Sequence, residues 1–220
     1  MRSRESILKS IMEGGIIAIV RLKDGGPLER VAEAIVRGGI NAIEFTLNTP
    51  GALKGIQRAR RALGADALIG AGTVLDRDAA RRALDAGAEF LVSPDFNPEV
   101  VAAAHEAGKV AVPGAFTPTE IAAALRAQAD LIKLFPAAFL GPEYVKAILA
   151  PLPEGRLVPT GGVTLENIGE YVHAGAAAVA LGGSLVSDYH IQNDDYGVIT
   201  ASARLYKEAL DTARASAAER

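Results

Sequence analysis

Eight apolar runs of strand length punctuate the chain, at residues 16–21, 42–47, 68–72, 90–94, 110–114, 131–136, 156–162 and 178–183. Their starts lie 20 to 26 residues apart, and stretches of helical periodicity fill the gaps between them. No consecutive runs are joined by a two-residue Asn-Gly or Asp-Gly hairpin, so the connections are expected to be right-handed crossovers between parallel strands. Eight such units predict an α/β fold of the (β/α)8 TIM-barrel type. An open doubly wound sheet is the competing arrangement, but it gathers its site at one switch point. Here polar residues collect at the C-terminal ends of many runs, as a barrel requires.

The gaps carry helix punctuation. Asp76, Asn97-Pro98-Glu99, Gly141-Pro142-Glu143 and Thr164 each precede a periodic stretch. In Thr117-Pro118-Thr119-Glu120, the threonine is placed to cap, proline takes the first helical position and Glu120 sits where a capping box needs a carboxylate. Gly87, Gly108 and Gly175 each follow Asp-Ala, Glu-Ala or His-Ala, where the chain must leave a helix in a left-handed conformation. Residues 3–12 read as an extra N-terminal helix, 187–197 as a polar loop and 199–213 as a last helix. No low-complexity linker interrupts the 220 residues, half of them hydrophobic, and a single domain over 1–220 is expected.

Charge and composition narrow the function. The net charge is −3 with Lys and Arg scattered, which argues against a nucleic-acid partner. The absence of cysteine removes disulfides, thiolate nucleophiles and zinc ribbons. Apolar stretches are too short to span a bilayer, and Met1-Arg-Ser-Arg-Glu leads into no secretory core. A cytoplasmic protein with no membrane contact and a small-molecule partner is expected.

The sixth run, Leu131-Ile132-Lys133-Leu134-Phe135-Pro136, sets a lysine where long cations are almost never buried without a partner. Side chains alternate along a strand, so Leu131, Lys133 and Phe135 share one face. In the second run Glu44 and Thr46 share a face, while Ile43, Phe45 and Leu47 are left to pack on helices. A barrel would bring this carboxylate and amine together near its axis. Such pairs serve packing alone in some cores, but both residues lie near strand C-termini, where barrel active sites are built. The chemical reading is a Schiff-base lysine with a carboxylate acid/base, because apolar surroundings favour the neutral amine that attacks a ketone.

Two glycine clusters follow the last two runs, Thr160-Gly161-Gly162 and Gly182-Gly183-Ser184. Paired glycines commonly serve tight turns. At the last two strand ends of a barrel they also match a phosphate cradle built from backbone N–H groups. Gly70-Ala71-Gly72-Thr73 is suited to bring backbone and a hydroxyl near a carboxylate. Arg21 is either a cation for carboxylate or phosphate, or a solvated strand end. His105 and His173 fall late in expected helices, where C-terminal capping suits them, and His190 falls in the polar loop; none has a second histidine at ligand spacing. No metal site and no cofactor are expected, and no nucleophile elbow surrounds any serine.

Seven motifs in order, Ile43-Glu44-Phe45-Thr46-Leu47, Ile69-Gly70-Ala71-Gly72-Thr73-Val74, Val92-Ser93-Pro94, Val112-Pro113-Gly114, Ile132-Lys133-Leu134-Phe135-Pro136, Pro159-Thr160-Gly161-Gly162-Val163 and Leu181-Gly182-Gly183-Ser184, resemble the 2-keto-3-deoxy-6-phosphogluconate aldolases. These are class I pyruvate aldolases that form homotrimers of (β/α)8 barrels. The resemblance implies Lys133 as Schiff-base lysine and Glu44 as general acid/base. It implies Thr73 and Arg21 at the pyruvate carboxylate, Gly161, Gly162, Gly182, Gly183 and Ser184 at the phosphate, and Phe135 and Pro94 lining the pocket. It implies a phosphorylated 2-keto-3-deoxy sugar acid as substrate, pyruvate as product, a homotrimer, and a place in Entner–Doudoroff carbohydrate metabolism. Many of these aldolases carry arginine where this chain has Asn48. Asparagine cannot clamp a carboxylate bidentately, and the Leu47-Asn48-Thr49-Pro50 pattern is more like the related phosphogalactonate aldolases. Phosphogalactonate and 4-hydroxy-2-oxoglutarate substrates are thus alternatives within the family. A phosphate-binding isomerase or epimerase and a silent sugar-phosphate binder are alternatives outside it.

Overall fold

The computed structural model describes residues 2–218. All eight apolar runs form strands: β1 (Ile16–Val20), β2 (Ala42–Thr46), β3 (Leu68–Gly72), β4 (Phe90–Val92), β5 (Val110–Val112) with β6 (Gly114–Ala115), β7 (Ile132–Leu134), β8 (Leu157–Pro159) and β9 (Val179–Leu181). The fifth run is split in two at Pro113, which has no N–H to give to a ladder. Every pairing between named strands is parallel, in the orders β5-β4-β3-β2-β1-β9 and β6-β7-β8. The result is a mixed α/β fold with a curled parallel sheet. At one junction of the two sheet segments Lys133 N donates to Pro113 O (2.9 Å). At the other, Ala177 N donates to Leu157 O (2.9 Å) and Thr160 bridges Ala180 in parallel.

Ten α-helices accompany the strands among the described residues: α1 (Arg4–Gly14), α2 (Leu28–Arg37), α3 (Ala52–Leu63), α4 (Arg77–Asp85), α5 (Pro98–Glu106), α6 (Pro118–Arg126), α7 (Gly141–Leu149), α8 (Ile168–His173), α9 (Asp188–Gln192) and α10 (Tyr196–Ala218). Asp76 and Asn97 accept from the first-turn N–H groups of α4 and α5, and Thr117 with Glu120 completes the capping box of α6. Gly87, Gly108 and Gly175 are left-handed, with φ of 99°, 66° and 97°. Four expectations are corrected. Thr164 does not open a helix at residue 165: the Asn167 side chain accepts from Thr164 N and donates to Gly162 O, holding this segment as a loop until α8 begins at Ile168. The polar segment after Ser187 contains α9, because Ser187 caps it through His190 N, and α10 is longer at both ends than its apolar period implied. His105 and His173 do not cap; their Nε2 atoms face Asp130 Oδ2 (3.2 Å) and Ser216 Oγ (2.9 Å).

Alternation along the strands divides the core in two. Ile43, Phe45, Ile69, Ala71, Ile132 and Leu134 pack outward into the helices. Ile17, Ile19, Ala42, Leu68, Phe90, Val110, Leu131 and Val158 fill the inside of the curl with Ile7 and Ile11 of α1. Both faces are thus buried, which is why the strands read as continuous apolar runs. Glu44 and Lys133 fall on the inner face, in step with Ala42 and Leu131. Inner space is tight: a Cβ on Gly70 would meet the Phe90 ring at 2.5 Å.

Candidate active site

The inward alternation of β2 and β7 carries two charged groups into the core, Glu44 (1% exposed) and Lys133 (5% exposed). Gly72 on β3 makes room for the carboxylate, since a Cβ there would lie 2.5 Å from Glu44 Oε1. That oxygen has no hydrogen-bond partner among the described residues. Burial pushes the Glu44 carboxyl above its ordinary value, and the charges of Lys133 and Arg21 pull it partly back. Both cations therefore share its electrostatic neighbourhood. Lys133 Nζ lies 5.0 Å from the Phe135 ring centroid, a cation–π contact from the same strand face two residues on.

A cleft of about 420 Å³ opens over Lys133, walled by Arg21, Phe135, Gly161, Gly162, Gly182, Gly183 and Ser184. Eight of the eleven residues picked out by sequence, Lys133 among them, thus meet in one place. Gly161 and Gly162 have φ of 81° and 88°, a conformation that L side chains rarely adopt, and a Cβ on Gly162 would strike Ala138 at 2.5 Å. Gly183 has no atom within 4 Å of its missing Cβ and leaves backbone open to the cleft. Ser184 Oγ donates to Val163 O (3.3 Å), tying the two glycine loops together. Arg21 follows the last residue of β1 and is exposed on this wall.

The other three stand apart. Glu44 is not part of the cleft wall but lies within the influence of Lys133 and Arg21. Thr73 and Pro94 follow β3 and β4 and are not part of that wall. Thr73 has φ of 57°, left-handed for a β-branched residue, a conformation that costs about 1–3 kcal/mol. Pro94 is packed so closely that a Cβ on Gly114 would lie 2.2 Å from its carbonyl oxygen.

Ile19, Thr160, Val163, Thr164, Ala180 and Val186 also line the cleft and were not among the site residues expected from sequence. Thr160 and Thr164 flank the Gly161-Gly162 pair, which was the available signal. Ile19 and Ala180 needed the inner-face assignment of β1 and β9, and Val186 had no signal. Among the described residues no group of three or more His, Cys, Asp or Glu is disposed to hold a metal ion. A buried amine within the electrostatic reach of a buried, unpaired carboxyl, at a cleft lined by two glycine loops, is suited to imine chemistry on a ketone.

Comparison with known proteins agrees with that chemistry. Residues 7–202 match the family model described as KDPG and KHG aldolase. A protein of Rhizobium meliloti named probable 2-dehydro-3-deoxy-6-phosphogalactonate aldolase is 41% identical, over 79% of this chain and 82% of its own length. The 2-dehydro-3-deoxy-phosphogluconate aldolase of Treponema pallidum is also 41% identical, over 84% of this chain and 87% of its own. A solved structure of the KDPG aldolase of Legionella pneumophila, with pyruvate captured as a covalent carbinolamine, superposes with a TM-score of 0.82 at 30% identity, covering 90% of this chain and 96% of that one.

Proposed function

The chain belongs to the KDPG and KHG aldolase family and is accordingly a lyase, and from that premise we propose that it cleaves 2-keto-3-deoxy-6-phosphogluconate to pyruvate and glyceraldehyde 3-phosphate. The observation that carries this reading is Lys133 and Glu44 on one inner face, buried and electrostatically coupled, below a cleft that runs to two glycine loops. Lys133 Nζ attacks the C2 ketone, and loss of water from the carbinolamine gives an iminium that serves as electron sink. Glu44, its carboxyl pushed above its ordinary value by burial, is suited to give and take protons during the reaction. Having given its proton to the carbinolamine hydroxyl that departs as water, Glu44 is left as a carboxylate and takes the C4 hydroxyl proton as the C3–C4 bond breaks and glyceraldehyde 3-phosphate leaves. Protonation of the enamine at C3 and hydrolysis release pyruvate and restore the amine.

Arg21 and Thr73 hold the pyruvate carboxylate, and Phe135 and Pro94 bound the pocket. Gly161, Gly162, Gly182, Gly183 and Ser184 receive the phosphate. The strained backbone of Thr73 supports a functional role, since such conformations persist where surrounding structure enforces them. The hydrogen bonds at both sheet junctions support a closed (β/α)8 barrel, one domain with α1 as its extra helix. A homotrimer is supported by Phe139 (83% exposed), at the end of a short 3-10 helix after β7, and by Phe116 and Leu165 on loops after β6 and β8, apolar residues exposed on the face that carries the cleft. A cytoplasmic place in Entner–Doudoroff metabolism is compatible with the fact that no helix of the described residues is long and apolar enough to cross a membrane.

Asn48 favours a second substrate in the same family, the C4 epimer 2-keto-3-deoxy-6-phosphogalactonate, because the chain lacks the arginine that many phosphogluconate aldolases carry there. An isomerase on this scaffold would leave the buried amine without use. Pyruvate release measured with both phosphorylated epimers, 4-hydroxy-2-oxoglutarate and the unphosphorylated sugar acids tests the assignment. A higher kcat/KM for the phosphorylated gluconate epimer than for all others is expected. Equal values with and without phosphate contradict the cradle, and a preference for the galactonate epimer moves the assignment to the second substrate.

A further inference from the structure

Arg21, like Lys133, carries a charge that pulls the Glu44 carboxyl down, yet it lies just beyond the end of β1. The segment that follows is outside any helix or strand. Gly25 and Gly26 have φ of 73° and 144°, and Lys23 is held through its N–H to Asp188 Oδ1 (3.2 Å). What grips the chain on either side of Arg21 is a pair of buried hydroxyls from the end of β2. Thr49 Oγ1 accepts from Leu22 N (3.1 Å), Thr49 and Thr46 Oγ1 lie 3.1 Å apart, and Thr46 Oγ1 donates to Val20 O (3.4 Å). Read as donors and acceptors this is one closed chain: Leu22 N–H to Thr49, the Thr49 hydroxyl to Thr46, the Thr46 hydroxyl to Val20 O. Each hydroxyl proton is used once.

We propose that Thr46 and Thr49 are positioning residues that set Arg21 against the substrate carboxylate. Thr46 stands two residues beyond Glu44 on the same inner face, so one strand end fixes both the acid/base and the anchor of the carboxylate ligand. A long exposed arginine whose Cα is free to shift would lose affinity for a carboxylate without losing the imine chemistry. With Asn48 exposed and off the cleft wall, no arginine at that position supports the task. The inference rests on the aldolase reading and on Arg21 as carboxylate ligand.

The bland account is that the two hydroxyls merely satisfy buried backbone groups. Pyruvate itself separates the two accounts, because it is the carboxylate-bearing fragment common to the family's substrates. Inactivation by borohydride is followed against pyruvate concentration, giving a half-saturating concentration and a limiting rate. Thr49→Val is expected to raise the half-saturating concentration about tenfold, the loss of one good hydrogen bond, with a smaller change in limiting rate. Thr49→Ser should return it to within about twofold, and in an Arg21→Gln background Thr49→Val should add less than about twofold, the signature of two residues acting through one contact. Thr46→Val should move the same parameter in the same direction and carries the test if Thr49→Val does not fold. An unchanged half-saturation in both valine variants overturns the proposal, as does an equal factor in both arginine backgrounds. No effect of Arg21→Gln would remove Arg21 as carboxylate ligand, whereas no inactivation of the unaltered protein would remove the imine itself.

Discussion

The two ends of the curled sheet treat buried charge in opposite ways. At the N-terminal end, Glu89 (2% exposed) receives Arg2 and Arg60 at 2.9 and 2.7 Å, and Asp130 (5% exposed) receives Arg4 Nε at 2.7 Å and Ala111 N at 2.9 Å with His105 alongside. Each carboxylate is saturated, and two of the partners, Arg4 and Arg2, tie α1 and the residue before its cap to the strands. Toward the C-terminal end, Glu44 keeps a buried oxygen without a partner, and Lys133 sits against an aromatic ring. Saturated charge closes one end of the fold. Unsaturated charge costs stability at the other and leaves groups free to react.

Substitutions at the reactive end should therefore cost activity and not stability. Lys133→Met places an apolar chain of similar length in an apolar setting. Turnover should fall on the order of 10⁴-fold or more, while the thermal midpoint holds or rises. Glu44→Gln should slow turnover by about 10²–10⁴-fold and leave covalent trapping of pyruvate at Lys133 detectable by mass spectrometry. Residual turnover near normal in the lysine variant would break the contrast at its strongest point.

At the saturated end the order reverses. Asp130→Ala leaves the buried Ala111 N–H without an acceptor and frees Arg4, and should cost about 1–3 kcal/mol in denaturant unfolding, with kcat per folded molecule unchanged. A loss of kcat larger than the loss of stability would mean that the two ends are not separable. The smallest effect is in pH dependence. Because burial raises the folded carboxyl of Glu44, the native state holds a proton that the unfolded chain releases near pH ~4.3. Stability contributed below that value is lost as pH rises through the raised folded value. Glu44→Gln removes this titration, so its stability advantage over the unaltered chain should grow with pH and then level off. A constant difference from about pH 4 to about pH 8 would contradict the unsaturated state of Glu44.

The same contrast explains what was legible in the sequence. The strands could be read because both sheet faces are apolar, and Glu44 and Lys133 because each sets a single charge inside a continuous apolar run, as Glu44 does between Ile43 and Phe45. The glycine clusters were legible because Gly161 and Gly162 need a conformation that other residues resist. The saturated end was not legible. Arg2 and Glu89 lie 87 residues apart and Arg4 and Asp130 126 apart, and nothing in an arginine's neighbours says which distant carboxylate it meets. The hydroxyls of Thr46 and Thr49 were equally silent, since a buried threonine reads as a strand former until its partners are known. The interruption at Pro113 follows from its missing N–H, but only the observed pairing reveals that the chain serves β4 before it and β7 after it.

The most direct test of the contrast is to incubate the protein with pyruvate, reduce with borohydride and map the mass increase by peptide sequencing. The account predicts a single reduced pyruvate adduct on Lys133, and none in Lys133→Met. An unmodified protein, or an adduct spread over exposed lysines such as Lys23 and Lys146, would contradict it.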